Sequence, residues 1–257
     1  MKPAIRRGLT VSLSAALAAT AVRRALRGDL TGADRCALAA CAGILLPTLL
    51  PGCGWFGPVI RRLPGKGRQV WLTIDDGPDP CDTPEILEVL DRHKAKAGFF
   101  VIGRKVRKYP EAARAIAAAG HRLENHTWSH NAGRFWAATP GAARREIEEA
   151  SEAIREITGQ APRFFRAPAG LANPFVHAAA ERSGLRLAGW SACGYDGVRH
   201  DPDRVINRIL AMLRPGAIIL LHEGPLPGQR AGTRARTLNR LLHELVKRGY
   251  ATVGGPD

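Results

Sequence analysis

The sequence predicts an α/β fold, a parallel β/α barrel of about seven units that follows an apolar N-terminal extension. From residue 67 onward, short apolar segments of strand length alternate with segments of helix length. This alternation is typical of a parallel sheet covered by helices. The sequence contains no glycine-rich dinucleotide-binding fingerprint, and this favours a barrel over an open Rossmann sheet.

The individual elements follow from strand-like apolar runs and from helix capping signals. Residues 70–74 are apolar and partly β-branched, which predicts a buried strand. Thr83 before Pro84, and Thr139 before Pro140, are predicted N-caps of helices, and Gly159 is a predicted helix end. The further strands are predicted at residues 98–102, 121–125, 163–166, 185–190, 217–221 and 250–253. The helices are predicted at residues 83–93, 110–119, 140–157, 174–183, 202–213 and 237–248.

The N-terminal region holds two charge-free stretches, residues 8–22 and 36–60. The first ends with small residues placed like a cleavage site, so residues 1–21 fit either a secretory signal or the first leg of a membrane hairpin. The second is long enough to span a bilayer, although Pro47 and Pro51 interrupt it. We therefore expect residues 1–66 to form a membrane anchor or signal region and residues 67–257 to form the catalytic domain. The expected location is the bacterial inner membrane, or the periplasm or exterior if the signal is cleaved.

The charge distribution supports a membrane partner for this region. The formal net charge is +15, and residues 1–68 contribute nine of these charges, with eleven Lys or Arg against two acids. A basic, apolar terminus favours contact with an anionic membrane surface. No zinc-finger, RNP-like or basic-helix signature points to nucleic acid. The five cysteines form no CxxC pair and do not resemble a disulfide or zinc-finger framework.

Ionisable residues cluster at the predicted carboxyl ends of the strands, where parallel barrels carry their chemistry. Each of them alone also fits a structural role, such as a loop cap, a core histidine or an ion pair. His126 and His130, which follow the third predicted strand, are four residues apart. This spacing predicts that both imidazoles lie on one helical face and bind one ion. The residues concerned are Asp75, Asp76, His126, His130, Arg166, Asp196 and His222. We expect structural roles for the remaining histidines, His93, His121, His177, His200 and His243.

Four segments resemble the polysaccharide deacetylase family, that is, carbohydrate esterase family 4 or the NodB-homology domain. They are T-I-D-D-G-P at residues 73–78, N-H-T-W-S-H at 125–130, F-R-A-P at 165–168 and L-L-H at 220–222. The similarity extends from about residue 69 to the C-terminus. It implies a distorted (β/α) barrel and a hydrolase that removes N-acetyl, or sometimes O-acetyl, groups from sugars such as N-acetylglucosamine polymers.

The resemblance also implies a role for each matching residue. A catalytic base, three metal ligands and a general acid are expected, with two residues that tune the base and the acid and two that contact substrate. The expected metal is Zn²⁺, with Co²⁺ or Ni²⁺ as alternatives. The expected base is Asp75 and the expected general acid is His222. The expected metal ligands are Asp76, His126 and His130. Arg166 would orient Asp75, Asp196 would tune His222, and Leu220 and Pro168 would contact the substrate.

The sequence departs from the family pattern where aromatic residues usually contact a sugar chain. Ala169 and Gly170 follow Pro168 in place of an aromatic residue, and Cys193 and Gly197 replace an acid and a tryptophan in the fourth motif. These departures favour a small or lipid-linked aminosugar over a long polymer, and a deformylase of lipid-linked aminosugar is the alternative enzyme. An inactive carbohydrate-binding protein would be expected to lack Asp75 or a ligand, and a membrane scaffold would leave the cluster unexplained.

Overall fold

The computed structural model describes residues 3–65, 67–199, 201–228 and 230–256 and confirms the predicted α/β fold. Its strands are β1 (Val59–Ile60), β2 (Gln69–Gly77), β3 (Gly98–Val101), β4 (Arg122–Asn125), β5 (Phe164–Phe165), β6 (Arg186–Ala188), β7 (Ala192–Cys193), β8 (Ile218–His222) and β9 (Ala251–Val253). Its helices are α1 (Pro3–Leu26), α2 (Leu30–Thr48), α3 (Asp82–Arg92), α4 (Gly103–Lys108), α5 (Pro110–Ala118), α6 (Ala132–Phe135), α7 (Pro140–Thr158), α8 (Pro174–Arg182), α9 (Pro202–Met212) and α10 (Thr233–Lys247), with a 3-10 turn at Pro168–Gly170.

The strands form one parallel sheet in the order β1-β6-β5-β4-β3-β2-β8-β7, and β9 also pairs with β2. Within the described ranges, the end strands β1 and β7 are not paired with each other, so the curled sheet is a distorted, open barrel. The sheet is buried on both faces, as parallel sheets require. Val70, Leu72 and Ile74 join the main apolar core with the helices, whereas Trp71 packs with Phe100 and other residues in a separate cluster.

Two details correct the sequence-based predictions. Strand β1 precedes the predicted domain boundary at residue 66 and pairs with β6, so the sheet begins earlier in the chain than the sequence indicated. Thr83 is not the N-cap of α3, because the helix already begins at Asp82. Asp79 accepts hydrogen bonds from the N–H groups of Cys81 and Asp82 at the start of the helix, both at 2.9 Å. The predicted cap at Thr139 is confirmed.

The N-terminal region forms an antiparallel helical hairpin of α1 and α2. Ser14 of α1 lies beside Gly43 of α2, and Asp29 caps α2 after the turn. Both helices are long and apolar enough to cross a membrane by length and composition. Helix α2 ends at Thr48, between the two prolines that interrupt the charge-free stretch at residues 36–60, so only the first half of this stretch is helical.

Candidate active site

The structure brings the seven predicted ionisable residues to the carboxyl ends of neighbouring strands. Asp75 and Asp76 lie in the last part of β2, and His222 is the last residue of β8, beside Asp75 in the register of the two strands. The segments after β4 and β5 carry His126, His130 and Arg166, and Asp196 follows β7. We call this edge of the sheet the rim. Of the other histidines, His93, His121, His177 and His243 lie outside the rim cluster, whereas His200 is outside the described residues.

Asp75 is fixed by a buried ion pair. Its Oδ1 accepts a hydrogen bond from Nη1 of Arg166 at 2.5 Å. The guanidinium group also donates to Oγ1 of Thr73 and to the carbonyl oxygens of Ala188 and Gly189, and it lies 4.0 Å from the ring centroid of Phe100. Because both side chains are almost fully buried and the guanidinium group is itself held by three further hydrogen bonds, the pair holds Asp75 in one orientation.

Asp76, His126 and His130 form a compact group of potential metal ligands, with ligand atoms within 4.8 Å of one another. Oδ1 of Asp76 lies 3.2 Å from Nε2 of His130 and 3.5 Å from Nε2 of His126. This oxygen is buried and has no hydrogen-bond partner among the described residues. One carboxylate and two imidazoles are a donor set that suits Zn²⁺, and an unsatisfied buried oxygen is the expected state of a ligand atom. The residues present therefore fit a metal ion.

The tautomer of His126 and the pKa of His130 also suit metal binding. Nδ1 of His126 lies 2.7 Å from the backbone carbonyl of Arg166, so that nitrogen is the donor and Nε2 carries the free lone pair. Burial and the neighbouring His126 lower the pKa of His130 to about 4. The imidazole of His130 is therefore neutral near neutral pH.

The two histidines reach Asp76 from a loop after β4, and not from a helix as their spacing suggested. Thr127 and His130 have positive φ values of 67° and 53°, which turn the chain back on itself. The turn is held by Asn125, whose Oδ1 accepts from the N–H of Thr127, and by Oγ1 of Thr127, which accepts from the N–H of His130. Asn125 is itself anchored to α7 through Ile147 and Ser151. These side-chain hydrogen bonds, and not a helix, therefore place both imidazoles on the same side of the chain.

Asp76 also adopts a left-handed conformation, with φ at 73°. Its backbone carbonyl accepts a hydrogen bond of 2.7 Å from Nζ of Lys105, which belongs to α4. A non-glycine residue with positive φ is strained unless its surroundings fix it. Lys105 thus helps to hold the backbone that aims the Asp76 carboxylate at the two histidines.

His222 is paired with Asp196 through both its ring and its backbone. Nδ1 of His222 lies 2.9 Å from Oδ1 of Asp196, and Oδ2 accepts the backbone N–H of His222 at 2.7 Å. Burial alone would lower the pKa of His222, but the charge of Asp196 and its hydrogen bond outweigh this and raise the pKa to about 9. Arg234 of α10 donates to both the side chain and the carbonyl of Asp196. His222 is therefore a protonated imidazolium near neutral pH.

The two predicted substrate contacts have different surroundings. Leu220 is buried in β8, two residues before His222 and on the same face of the strand. Pro168 is buried and starts the 3-10 turn after β5. Gly197, which replaces the family tryptophan, lies close against His222, since a Cβ atom there would lie only 3.2 Å from the imidazole, in tight contact.

Sequence reasoning missed three residues that support this site, Thr73, Lys105 and Arg234. Thr73 could have been found, because it precedes Asp75 by two residues and must share its face of β2. Lys105 and Arg234 reach the site from α4 and α10, far from any motif in the chain. Nothing in their local sequence distinguishes them from other surface cations.

Comparisons with known proteins agree with the geometry. A family model described as polysaccharide deacetylase matches residues 62–188. A chitooligosaccharide deacetylase of Bradyrhizobium sp. (strain ANU 289) is 42% identical over 192 residues, which cover 71% of this chain and 87% of that protein. A peptidoglycan-N-acetylglucosamine deacetylase of Bacillus cereus is 30% identical over 200 residues, which cover 77% of this chain and 91% of that protein.

A solved structure of a CE4 family pseudoenzyme from Bacillus anthracis has a similar fold, with a TM-score of 0.68 and 27% identity. The similar region covers 76% of this chain and 66% of that one. Because a pseudoenzyme shares the fold, the fold alone does not decide activity, and the residues of the site have to be considered. The match to the family model and the 42% identity to a deacetylase over most of its length establish the relationship. The chain belongs to the polysaccharide deacetylase family.

Proposed function

We propose that the protein is a metal-dependent hydrolase that removes the N-acetyl group from an N-acetylated aminosugar. Its relatives are named as deacetylases of chitooligosaccharide and of peptidoglycan N-acetylglucosamine. The observation that carries the proposal is that a fixed carboxylate, a metal-ligand cluster and a protonated histidine meet at one rim. Amide hydrolysis needs these three functions, namely a base, an electrophilic centre and an acid for the leaving amine.

The metal would be held by Asp76, His126 and His130, and we propose Zn²⁺, with Co²⁺ or Ni²⁺ as alternatives. When bound, the ion would lower the pKa of water toward neutrality and polarise the amide carbonyl. The three protein ligands leave coordination positions for water and substrate, as catalytic sites do and structural sites do not. The specific ion is part of the proposal.

Asp75 is the proposed base. Arg166 occupies its Oδ1, while Oδ2 lies 3.6 Å from Nε2 of His126 and thus faces the ligand cluster. Oδ2 is therefore the oxygen placed to take a proton from water at the cluster, and the Arg166 pair keeps it from rotating away. Asp75 is not one of the three clustered ligands, so its lone pairs stay available for the proton.

His222 is the proposed acid. A departing amine is a poor leaving group unless it is protonated, and His222 holds a proton at neutral pH because of Asp196. The position of Leu220 on the same face of β8 supports its proposed role in lining the acyl pocket. Pro168, at the start of the turn after β5, is the proposed second contact with the sugar.

The test is product analysis with the full-length protein and free chitooligosaccharides of N-acetylglucosamine. Released acetate and de-N-acetylated sugar, detected by mass spectrometry, are the expected products. Asp75→Asn is the matched control, since it preserves the size of the side chain and removes its basicity. Release of acetate at equal rates by both proteins would contradict the proposed chemistry, as would the absence of product from any N-acetylated aminosugar.

We also propose that the α1–α2 hairpin attaches the protein to a membrane. The length and apolar composition of both helices support this, together with their low burial in the protein. The proposed anchor ends near residue 51, because Phe56 is fully buried and β1 belongs to the sheet. Recovery of the full-length protein in the soluble fraction of cells, without detergent, would contradict the anchor.

A further inference from the structure

We propose that the hairpin holds the rim against the bilayer surface and that the substrate is an N-acylated aminosugar carried on a membrane lipid. This inference rests on the proposed function, because it names the substrate of that same site. It is carried by the position of the hairpin base beside the rim and by the exposed apolar surface of the hairpin, which are independent of the residues that perform the chemistry.

The C-terminal end of α2 leads directly to the rim. The N–H of Gly52 donates a 2.9 Å hydrogen bond to the carbonyl of Gly170, the last residue of the turn that follows β5 and Arg166. Pro51 packs against the same place, since a Cβ atom on Gly170 would lie 3.2 Å from the Cβ of Pro51. The chain therefore leaves the hairpin beside the active site.

The start of α1 lies beside the end of α2, at the base of the hairpin, because the two helices are antiparallel with Ser14 beside Gly43. Arg7 pairs at 2.6 Å with Glu181, near the end of α8, which leads into the amino end of β6. Farther along α1, Oγ1 of Thr10 accepts from Nε1 of Trp55 at 3.2 Å. These contacts join the base of the hairpin to the domain. From the Gly52–Gly170 contact at the rim and the low burial of both helices, we infer that the rest of the hairpin extends away from the domain on the rim side.

The extended part has the dimensions and surface of a membrane-inserted element. The 19 residues of α2 are about 28 Å long, close to the roughly 30 Å of the hydrocarbon core. Large apolar side chains project outward along the hairpin, with Leu13 63%, Leu38 69% and Leu46 64% exposed. A contiguous apolar surface of this kind is costly in water and indicates an interaction site.

Arginines border the apolar surface at both of its ends. Arg23, Arg24 and Arg27 lie at the turn between the two helices, and Arg6 and Arg61 lie near the base of the hairpin. Arginine side chains at these depths would meet anionic headgroups on the two faces of a bilayer. This charge pattern favours a lipid bilayer over a second protein copy as the partner of the hairpin.

A bilayer around the hairpin would place the rim at the headgroup level. A long soluble polymer would then have restricted access, whereas the sugar of a glycolipid would lie at the same depth as the site. Confinement of enzyme and substrate to one surface also raises their effective concentration.

The test compares two substrates that carry the same chitooligosaccharide, one free in solution and one attached to a lipid tail in anionic phospholipid vesicles. With the full-length protein, we expect kcat/KM to be at least about tenfold higher for the vesicle-borne sugar. The variant Leu38→Lys/Leu46→Lys should lose vesicle binding and this preference, yet keep its rate on the free sugar, because both side chains are exposed. Val246→Lys, an equally exposed position on α10, is the matched control and should behave as wild type.

Cysteine labelling provides a readout that does not depend on activity. Cys41, exposed in α2, should be protected from a water-soluble maleimide when vesicles are present, whereas a cysteine introduced by Val246→Cys near the end of α10 should react with and without them. Equal kcat/KM for the two substrates, or an unprotected Cys41, would overturn the inference while leaving the proposed function intact. Hydrolysis of neither sugar would refute the proposed function itself. A soluble dimer that buries the hairpin without binding vesicles would also overturn the inference.

Discussion

Replacement of Asp196 by asparagine is expected to lower the pH at which catalysis is lost on the alkaline side. Asp196 holds His222 protonated, with a 2.9 Å contact to Nδ1, and the pKa of His222 is raised from 6.5 to about 9. The charged groups around this pair are Arg234, which bonds to Asp196, and the carboxylates of Asp75 and Asp76. An asparagine at 196 keeps the size of the side chain but removes the largest favourable charge.

The sign of the effect follows from the direction of the shift. Burial lowers the pKa of His222 and Asp196 raises it, so without that charge the pKa should fall toward 6.5 or below. The acid form is present below the pKa and lost above it, so the alkaline limb of kcat should move from near pH 9 toward neutrality. The raised pKa of His222 stabilises the folded protein fully below pH 6.5, and this contribution, on the order of 3 kcal/mol, is lost as pH rises through about 9.

The assay is a kcat profile from pH 6 to 10, on the order of one point per half unit, with free chitooligosaccharide and saturating metal. Asp203→Asn is the matched control, because Asp203 is an exposed aspartate on α9 that pairs with Arg240. Its profile should coincide with that of wild type. An alkaline limb at the same pH in wild type and Asp196→Asn would refute the role of Asp196 in holding the proton of His222.

Three further predictions concern the rest of the site. Asp75→Asn should lower kcat by about 10²–10⁴-fold, with bound metal unchanged by elemental analysis; activity within a few-fold of wild type would place the base elsewhere. His126→Ala should lose the stoichiometric divalent metal that wild type retains after dialysis, and equal metal content in both would remove His126 from the ligand set. Arg166→Met should lower the free energy of unfolding by about 3–5 kcal/mol in urea titrations, because it leaves the buried Asp75 charge without its partner. An unchanged midpoint would show that water or another cation replaces Arg166.

Much of the fold could be predicted from the sequence because long elements carry a clear period. Helices α7 and α9 begin and end within a residue or two of their predicted bounds, fixed by a capping threonine and by proline at the first turn. Strands β1 and β7 were missed for different reasons: β1 lies in the charge-free stretch expected at the membrane, and β7 follows β6 without a helix between them. They pair because the longer strands beside them fix the edge of the sheet.

The residues of the candidate metal cluster could be predicted from the sequence, but the backbone conformation that brings them together could not. Parallel strands bring their carboxyl ends together, so Asp76 and His126 were expected to meet. A spacing of four residues fits a helix and also a tight turn, and only the left-handed backbone at Thr127 and His130 separates the two. Lys105 and Arg234 were not predictable, because their partners lie far away in the chain.

Residue 166 serves two parts of the site through two different parts of its structure. Its guanidinium group donates a hydrogen bond to Asp75, whereas its backbone carbonyl accepts a hydrogen bond from Nδ1 of His126. Side-chain replacement can remove only the first contact, since every amino acid retains the carbonyl. We therefore expect substitution of Arg166 to perturb Asp75, the proposed base, and to spare the tautomer of His126, a proposed metal ligand. The contribution of residue 166 to metal binding becomes measurable only by editing the main chain itself, for example by an ester or thioamide substitution at that peptide unit.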